Sequence, residues 1–217
     1  MNNINVILVE DLKIIRVGIK SLLRDVENIT VIGDVENANG LFQLLKNVVP
    51  DILILDIQLP GMSGVEITKV IKKDFPTIKI LILSASYDEG VVFHAIKSGV
   101  NGFLNKNVSK DELIVALESI SAGKEYFSSQ VKEIIMQNYL KSAKQGVTED
   151  AEEILTFREC EVLKYLAVGH SISETANILC VSYSTVTAHK VKIMNKLHIK
   201  TNVDLVKYAI KNNIIEL

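Results

Sequence analysis

The sequence predicts an α/β doubly wound fold with a five-stranded parallel sheet, followed by a smaller all-α domain of four helices. Three observations carry this. Short apolar runs alternate with stretches of helical periodicity through residues 4 to 122. The run Ile52-Leu53-Ile54-Leu55 has no polar interruption and is bounded by Pro50 and Pro60-Gly61, as expected of a strand buried on both faces. Beyond residue 154 helix-capping signals follow one another closely with no strand pattern between them.

The elements follow in order. Ile4 to Val9 form a first strand ending in Glu10-Asp11, and Leu12, Ile15, Ile19, Leu22 and Leu23 recur at helical spacing. Strand two is Thr30 to Val35, and a helix with Leu41, Leu44, Leu45 and Val48 leads to Pro50. Strand three ends at Asp56. A helix from about Val65 to Lys73 stops near Phe75-Pro76, and strand four, Lys79 to Leu83, runs into Ser84. Asp88 to Ser98 is helical and ends at Gly99; strand five, Gly102 to Leu104, leads into Asn105-Lys106, and Ser109 with Glu112 caps a fifth helix. Ser128 or Ser129 starts a helix through about Leu140 carrying Val131, Ile134, Ile135 and Tyr139, after which Lys141 to Asp150, with Gly146, reads as a flexible joint.

This divides the chain into residues 1–123, a linker at 124–153 containing a helix, and residues 154–217. In the last part Thr156-Phe157-Arg158-Glu159 and Ser171-Ile172-Ser173-Glu174 are capping boxes, Ser182 caps a third helix reaching about Leu197, and Asn202 opens a fourth. Short helices with tight turns over such a length indicate a helix-turn-helix module.

Composition sets outer limits. Hydrophobic content of 48% is ample for packed cores. No apolar run approaches the ~20 residues needed to cross a bilayer, and Met1-Asn2-Asn3 lacks a signal-peptide layout, so a cytoplasmic protein without membrane partners is expected. Cys160 and Cys180 lack the His or Asp spacing of a zinc site and read as small buried hydrophobes. The net charge of −2 hides an asymmetry: residues 1 to 123 hold 12 Lys/Arg against 15 Asp/Glu, while residues 186 to 217 hold six Lys against Asp204 and Glu216.

Right-handed crossovers bring the carboxyl-end loops of such a sheet onto one rim. Glu10, Asp11, Asp56, Ser84 and Lys106 all fall there. Taken singly, an Asp or Ser at a strand end is a common turn former and a Lys there is usually solvated. As an ordered set they resemble the receiver domain of a bacterial two-component response regulator. The motifs Leu155-Thr156-x-Arg158-Glu159-x-Glu161-Val162-Leu163, Leu166-Ala167-x-Gly169, Thr175-Ala176, Val181-Ser182-x-Ser184-Thr185-Val186, His189 and Lys196-Leu197 resemble the LuxR-type helix-turn-helix. Together the chain is similar to a NarL/FixJ-type response regulator, which implies a flavodoxin-like strand order 2-1-3-4-5.

Three carboxylates crowded together repel, and a divalent cation resolves the repulsion; oxygen-only ligands suit Mg²⁺ better than zinc. The resemblance implies that Asp11 and Asp56 bind Mg²⁺ directly, Glu10 through water, and the Gln58 backbone carbonyl completes the set. It implies Asp56 as phosphoacceptor from a sensor histidine kinase or a small phosphodonor, Lys106 and Ser84 as partners of the phosphoryl oxygens, and Ser84 with Phe103 as switch residues. Such a protein is no metabolic enzyme and only gains and loses its own phosphoryl group. Many receivers carry Lys-Pro with a cis bond where this chain has Lys106-Asn107. A cis bond before Asn costs about 3 kcal/mol, so either a strained cis peptide or a rearranged trans loop is expected.

On the third C-terminal helix, Val186, Ile193 and Leu197 share a core-facing arc. Ser184, Ala188, Val191 and Asn195 lie opposite, flanked by Thr187, and are placed to enter the major groove of double-stranded DNA. Thr185, His189, Lys192 and Lys196 form a side stripe for phosphates, with Lys190 on the other flank and Lys200 beyond. Thr187 stands where relatives usually have Lys, and Ser173 and Asn202 where Lys and Arg are common. The groove face is small and mainly apolar, which favours an A·T-rich site read partly by shape. One such helix covers a half-site, so a homodimer on promoter DNA is expected.

Two other functions fit parts of the pattern. A metal-dependent phosphohydrolase would use Asp56 as nucleophile but needs an acid/base Asp two residues on, where Gln58 stands. A DNA-binding protein whose receiver no longer switches is at odds with the complete acidic set.

Overall fold

The computed structural model describes residues 3–85, 87–145, 155–211 and 214–215, and the side chains of 138–145 and 211 are not among those described. It divides into two compact units, Met1–Tyr139 and Leu140–Leu217.

The first unit alternates β1 (Ile4–Val9), α1 (Lys13–Leu23), β2 (Ile29–Val35), α2 (Ala38–Leu44), β3 (Ile52–Asp56), α3 (Gly64–Asp74), β4 (Lys79–Ser84), α4 (Glu89–Lys97), β5 (Gly102–Asn105) and α5 (Lys110–Ser121). With a sixth strand, β6 (Tyr126–Phe127), the strands are all parallel, in the order β2-β1-β3-β4-β5-β6. The expected order of the first five therefore holds, but the sheet has six strands rather than five. The addition is β6, Tyr126–Phe127, which lies in what reads as linker. It pairs with Gly102 and Phe103 of β5, and the Tyr126 amide donates to the Asn101 carbonyl at 3.0 Å.

Alternation of side chains loads both sheet faces with apolar groups. Val6, Leu8, Ile52, Ile54, Leu81, Leu83 and Leu104 pack against Ile19 and Leu23 of α1 and Leu113, Leu117 and Ile120 of α5. Ile7, Val9, Leu53, Leu55, Ile82 and Phe103 point the other way and are buried too. Each such aliphatic side chain contributes about 1.5–3 kcal/mol on full burial. The β3 strand has no exposed residue along its length, as its unbroken apolar run predicts.

Helix α6, Ser129–Gln145, is capped by Ser128, whose hydroxyl accepts from the Val131 amide. It continues past the predicted stop near Leu140 through five residues of the expected joint; Gly146 and the remainder to Asp150 lie outside the described residues, as does the Tyr139 side chain.

The second unit contains α7 (Phe157–Ala167), α8 (Ile172–Ile178), α9 (Tyr183–Lys196) and α10 (Asn202–Lys211). Both predicted capping boxes form in full, and Ser182 accepts from the Thr185 amide. Leu155, Val162, Leu163, Ala176, Leu179, Val186, Ile193, Leu205 and Ala209 make its core, with Leu197 packed against it. The turn into α9 passes through Cys180 at φ 50°, in the left-handed region, and this Cys is exposed, so the expectation of a buried Cys180 is wrong; Cys160 is half-buried.

Candidate functional site

The rim at the carboxyl ends of β1, β3, β4 and β5 gathers the charged residues singled out from the sequence. Asp56 closes β3 and is buried, because the chain leaves through Leu59-Pro60-Gly61, with Gly61 at φ 81°, and returns at once into α3. Ser63 caps that helix in a full capping box with Glu66. The return is so tight that a Cβ on Gly64 would meet the Asp56 carbonyl oxygen at 2.2 Å. Glycine is required there by close approach of backbone.

Glu10, Asp11 and Asp56 each offer a carboxylate oxygen, and these oxygens lie within 4.8 Å of one another. Lys106, carried past the end of β5, reaches between two of them: its Nζ lies 2.7 Å from Glu10 Oε2 and 2.9 Å from Asp56 Oδ2. The Gln58 backbone N–H donates to Asp56 Oδ1 at 3.2 Å.

Burial pushes the Asp56 carboxyl above its ordinary range and Asp11 adds to this, against the pull of Lys106 and the Gln58 amide. Glu10 is likewise raised by burial and by Asp56, with Lys106 opposing. Burial works to lower Lys106, but its hydrogen bonds to Glu10 and Asp56 outweigh that and hold it above the usual lysine range. The rim is thus a desolvated concentration of negative charge, with the Lys106 ammonium group set between Glu10 and Asp56. An all-oxygen donor set that rewards a further cation fits Mg²⁺.

Ser84 ends β4 and is buried, and its carbonyl accepts from the Lys106 amide at 2.9 Å. Phe103 is fully buried, its ring centroid 6.2 Å from that of Tyr87. Among the described residues no peptide bond is cis, so of the two expectations for Lys106-Asn107 the trans loop holds. The Asn105 side chain accepts from the Asn107 amide at 2.9 Å, an Asx turn that does the turning.

Sequence reasoning missed Arg16. One guanidinium nitrogen donates to the carbonyls of both Glu10 and Asp11, and Nε pairs with Asp34 on β2 at 3.3 Å. Only its place in the first turns of a helix just beyond the acidic pair could have marked it.

In the second unit α9 buries Val186 and Ile193 and exposes Ser184, Ala188, Val191 and Asn195. Thr187, half-buried, donates its hydroxyl to the Tyr183 carbonyl. Lys192 and Lys200 are exposed; Lys190 and His189 are half-buried. Two predicted phosphate contacts have other partners here. The Thr185 hydroxyl lies 2.8 Å from that of Ser182, within the cap, and Lys196 forms an ion pair with Glu159 at 2.6 Å, locking α9 to α7.

An acidic rim bridged by a lysine on a doubly wound sheet, in a chain that also carries a helix-turn-helix unit, defines a class, and comparison with known proteins agrees. The chain belongs to the response regulators of the NarL/FixJ type: residues 6–118 match the response regulator receiver domain and residues 153–209 the bacterial regulatory proteins of the luxR family. Among its relatives are the oxygen regulatory protein NreC of Staphylococcus epidermidis RP62A, 33% identical over 97% of this chain and 99% of its own length, and NreC of Staphylococcus aureus RF122, 31% identical over 97% and 99%. Among solved structures it is similar to the RcsB response regulator of Salmonella typhimurium, with a TM-score of 0.66 at 26% identity over 96% of this chain and 97% of that one. An RcsB–DNA complex aligns with a TM-score of 0.61 at 26% identity, covering 95% and 98%.

Proposed function

We propose that the chain is a phosphorylation-controlled transcription regulator. Asp56 takes a phosphoryl group from a phosphohistidine on a sensor histidine kinase or from a small phosphodonor. The modified receiver, residues 1–123, then favours a homodimer whose helix-turn-helix units, residues 154–217, bind promoter DNA. The observation that carries this is the buried Asp56 carboxylate at a rim where Lys106 bridges it to Glu10. A turn-forming Asp has no reason to be desolvated beside two further carboxylates.

Asp56 is the nucleophile: one carboxylate oxygen forms a bond to phosphorus as the P–N bond of the donor breaks, and the leaving imidazole nitrogen takes up a proton. Held by Asp11 and Asp56, with Glu10 acting through water and the Gln58 carbonyl completing the set, Mg²⁺ would screen the carboxylate charge from the incoming phosphoryl oxygens. Lys106 lies within reach of Asp56 and serves a phosphoryl oxygen as a point charge, and the Ser84 hydroxyl donates to another. Ser84 and Phe103 flank the loop to α4 and report the change. The chain is no metabolic enzyme and acts only on its own phosphoryl group, in the cytoplasm, with no membrane partner.

On DNA, Ser184, Ala188, Val191 and Asn195, with Thr187, enter the major groove, and Lys190, Lys192 and Lys200 meet phosphates. The RcsB structure with two dimers bound to two DNAs supports a dimeric mode of binding. The groove residues favour A·T-rich operators.

The test is intact-mass analysis of wild type and Asp56→Asn after incubation with Mg²⁺ and a small phosphodonor, followed by operator selection from a random pool. Wild type should gain one phosphoryl group and bind DNA more tightly; Asp56→Asn should do neither. A folded wild-type protein that never gains the group ends the proposal.

A further inference from the structure

The loop that carries Glu10 and Asp11 has two demands on it. It must turn β1 into α1, and it must hold two carboxylates toward a third. Elsewhere in the first unit a side chain at the N-cap secures the helix start: Asn37, Ser63, Asp88 and Ser109 each accept from a backbone amide. Helix α1 has Leu12 at its N-cap, whose side chain makes no such bond. Instead Glu10 Oε1 accepts from the Leu12 amide at 3.3 Å. A residue of the site is thus drawn into holding the helix, and the loop depends on something else for its shape.

We propose that Arg16 is the positioning residue of the acidic pair. It clasps the Glu10 and Asp11 carbonyls with one nitrogen and is itself anchored to Asp34, so that both carboxylates are set for Mg²⁺ before it binds. This rests on the reading of the rim as a Mg²⁺-dependent phosphoacceptor site. The geometry is that of a brace. The guanidinium approaches the backbone of the loop, 2.9 Å from the Asp11 carbonyl, while its other edge meets Asp34 on the neighbouring strand. Lys20 also pairs with Asp34, at 2.5 Å, so the anchor is fixed from two sides. The Glu10 amide donates to the Val35 carbonyl at 3.1 Å, which ties the same loop to the end of β2.

The Arg16 side chain is only 13% exposed, so these donors have little water to turn to. A planar fork spans two carbonyls and a carboxylate; a lysine ammonium is one compact donor centre and does not. The guanidinium also stands as a fixed positive charge beside a loop whose two carboxylates repel Asp56. Removing it relaxes the loop outward and leaves the acidic oxygens further apart.

The experiment is isothermal titration of Mg²⁺ into the full chain for wild type, Arg16→Met, Arg16→Lys, Asp34→Asn and Asp11→Asn. Phosphorylation rate is measured against Mg²⁺ concentration in parallel, and circular dichroism checks folding. Arg16→Met should bind Mg²⁺ about 10-fold more weakly, as expected for loss of a group that orients a metal ligand. Arg16→Lys and Asp34→Asn should lie between, and the phosphorylation rate at saturating Mg²⁺ should return close to that of wild type. Arg16→Met and Asp34→Asn both binding Mg²⁺ as wild type does, or a rate that falls at saturation with half-saturation unchanged, overturns the role. Asp34→Asn leaves Arg16 in place, so the question survives if Arg16→Met does not fold. If wild type binds no Mg²⁺, or Asp11→Asn binds it equally well, the reading of the rim falls as well; wild-type binding that ignores Arg16 and Asp34 removes the brace alone.

Discussion

Asp56 is a residue whose placement costs stability. Its carboxylate is buried beside Glu10 and Asp11, and Lys106 is the one cation bridging it to Glu10 among the described residues. Asp56→Asn keeps the shape and removes one of three like charges, so without Mg²⁺ the receiver should be stabilised by about 1 kcal/mol. Added Mg²⁺ should raise the wild-type unfolding temperature and leave the variant nearly unmoved, since a ligand stabilises only the state that binds it. Thermal melts with and without Mg²⁺ check both. Glu159 is the converse case. Burial works to raise its pKa, but Lys196 and the Thr156 amide outweigh this and hold it below the usual carboxylate range. A depressed folded pKa gives stability that is present above the unfolded value, about 4.3, and is lost as pH falls through the folded one. The helical unit should therefore loosen selectively in acid below about pH 4. In Glu159→Gln that part of the pH dependence should vanish, at a cost near neutrality of about 1–2 kcal/mol. Melts from pH 7 downward would show otherwise if the two proteins kept parallel curves.

At the scale of elements, β6 shows where reading the sequence stops. The five longer strands are legible because each is built on a short apolar segment, and Asp56, Ser84 and Lys106 are legible because they stand at or just past strand ends. Tyr126–Phe127 is two residues between polar flanks and becomes a strand because the carbonyls of Asn101, just before β5, and of Phe103 on β5 accept from the Tyr126 and Ser128 amides. No local pattern encodes that. Gly102 makes the pairing possible: a Cβ there would lie 2.7 Å from the Tyr126 carbonyl oxygen and 2.9 Å from Leu81 Cδ1. Gly102→Ala should push β6 off the sheet and cost about 1–3 kcal/mol. Hydrogen exchange should then show lost protection at Tyr126 and Ser128, whose amides are bonded to β5 and its lead-in, with β1 and β3 unchanged. Arg16 and the ion pair of Lys196 escaped for a related reason. Their partners are backbone carbonyls, an Asp eighteen positions on and a Glu thirty-seven positions back, and helical periodicity is silent about contacts between elements.

For the molecule as a whole, the charge asymmetry of the sequence has to be recounted from the fold. The first 123 residues carry a net −3 and the last 32 hold six lysines, an excess that reads as a footprint for nucleic acid. Not every lysine in it is available. Lys196 is engaged with Glu159 across two helices, whereas Lys192, one turn earlier on α9, is exposed. The two should therefore separate in a salt titration of DNA binding. Each phosphate contact contributes about 0.9 to the slope of log affinity against log salt. Lys192→Ala should lower the slope by about that amount per protomer while leaving the melting temperature of the free protein in place. Lys196→Ala should leave the slope nearly as it was and destabilise the helical unit instead. The loss should be about 1 kcal/mol and no more, because the Lys196 side chain is 39% exposed and water screens the pair. If both variants lowered the slope equally and neither shifted the melt, the ion pair would open on DNA and the footprint would be the one counted from sequence alone.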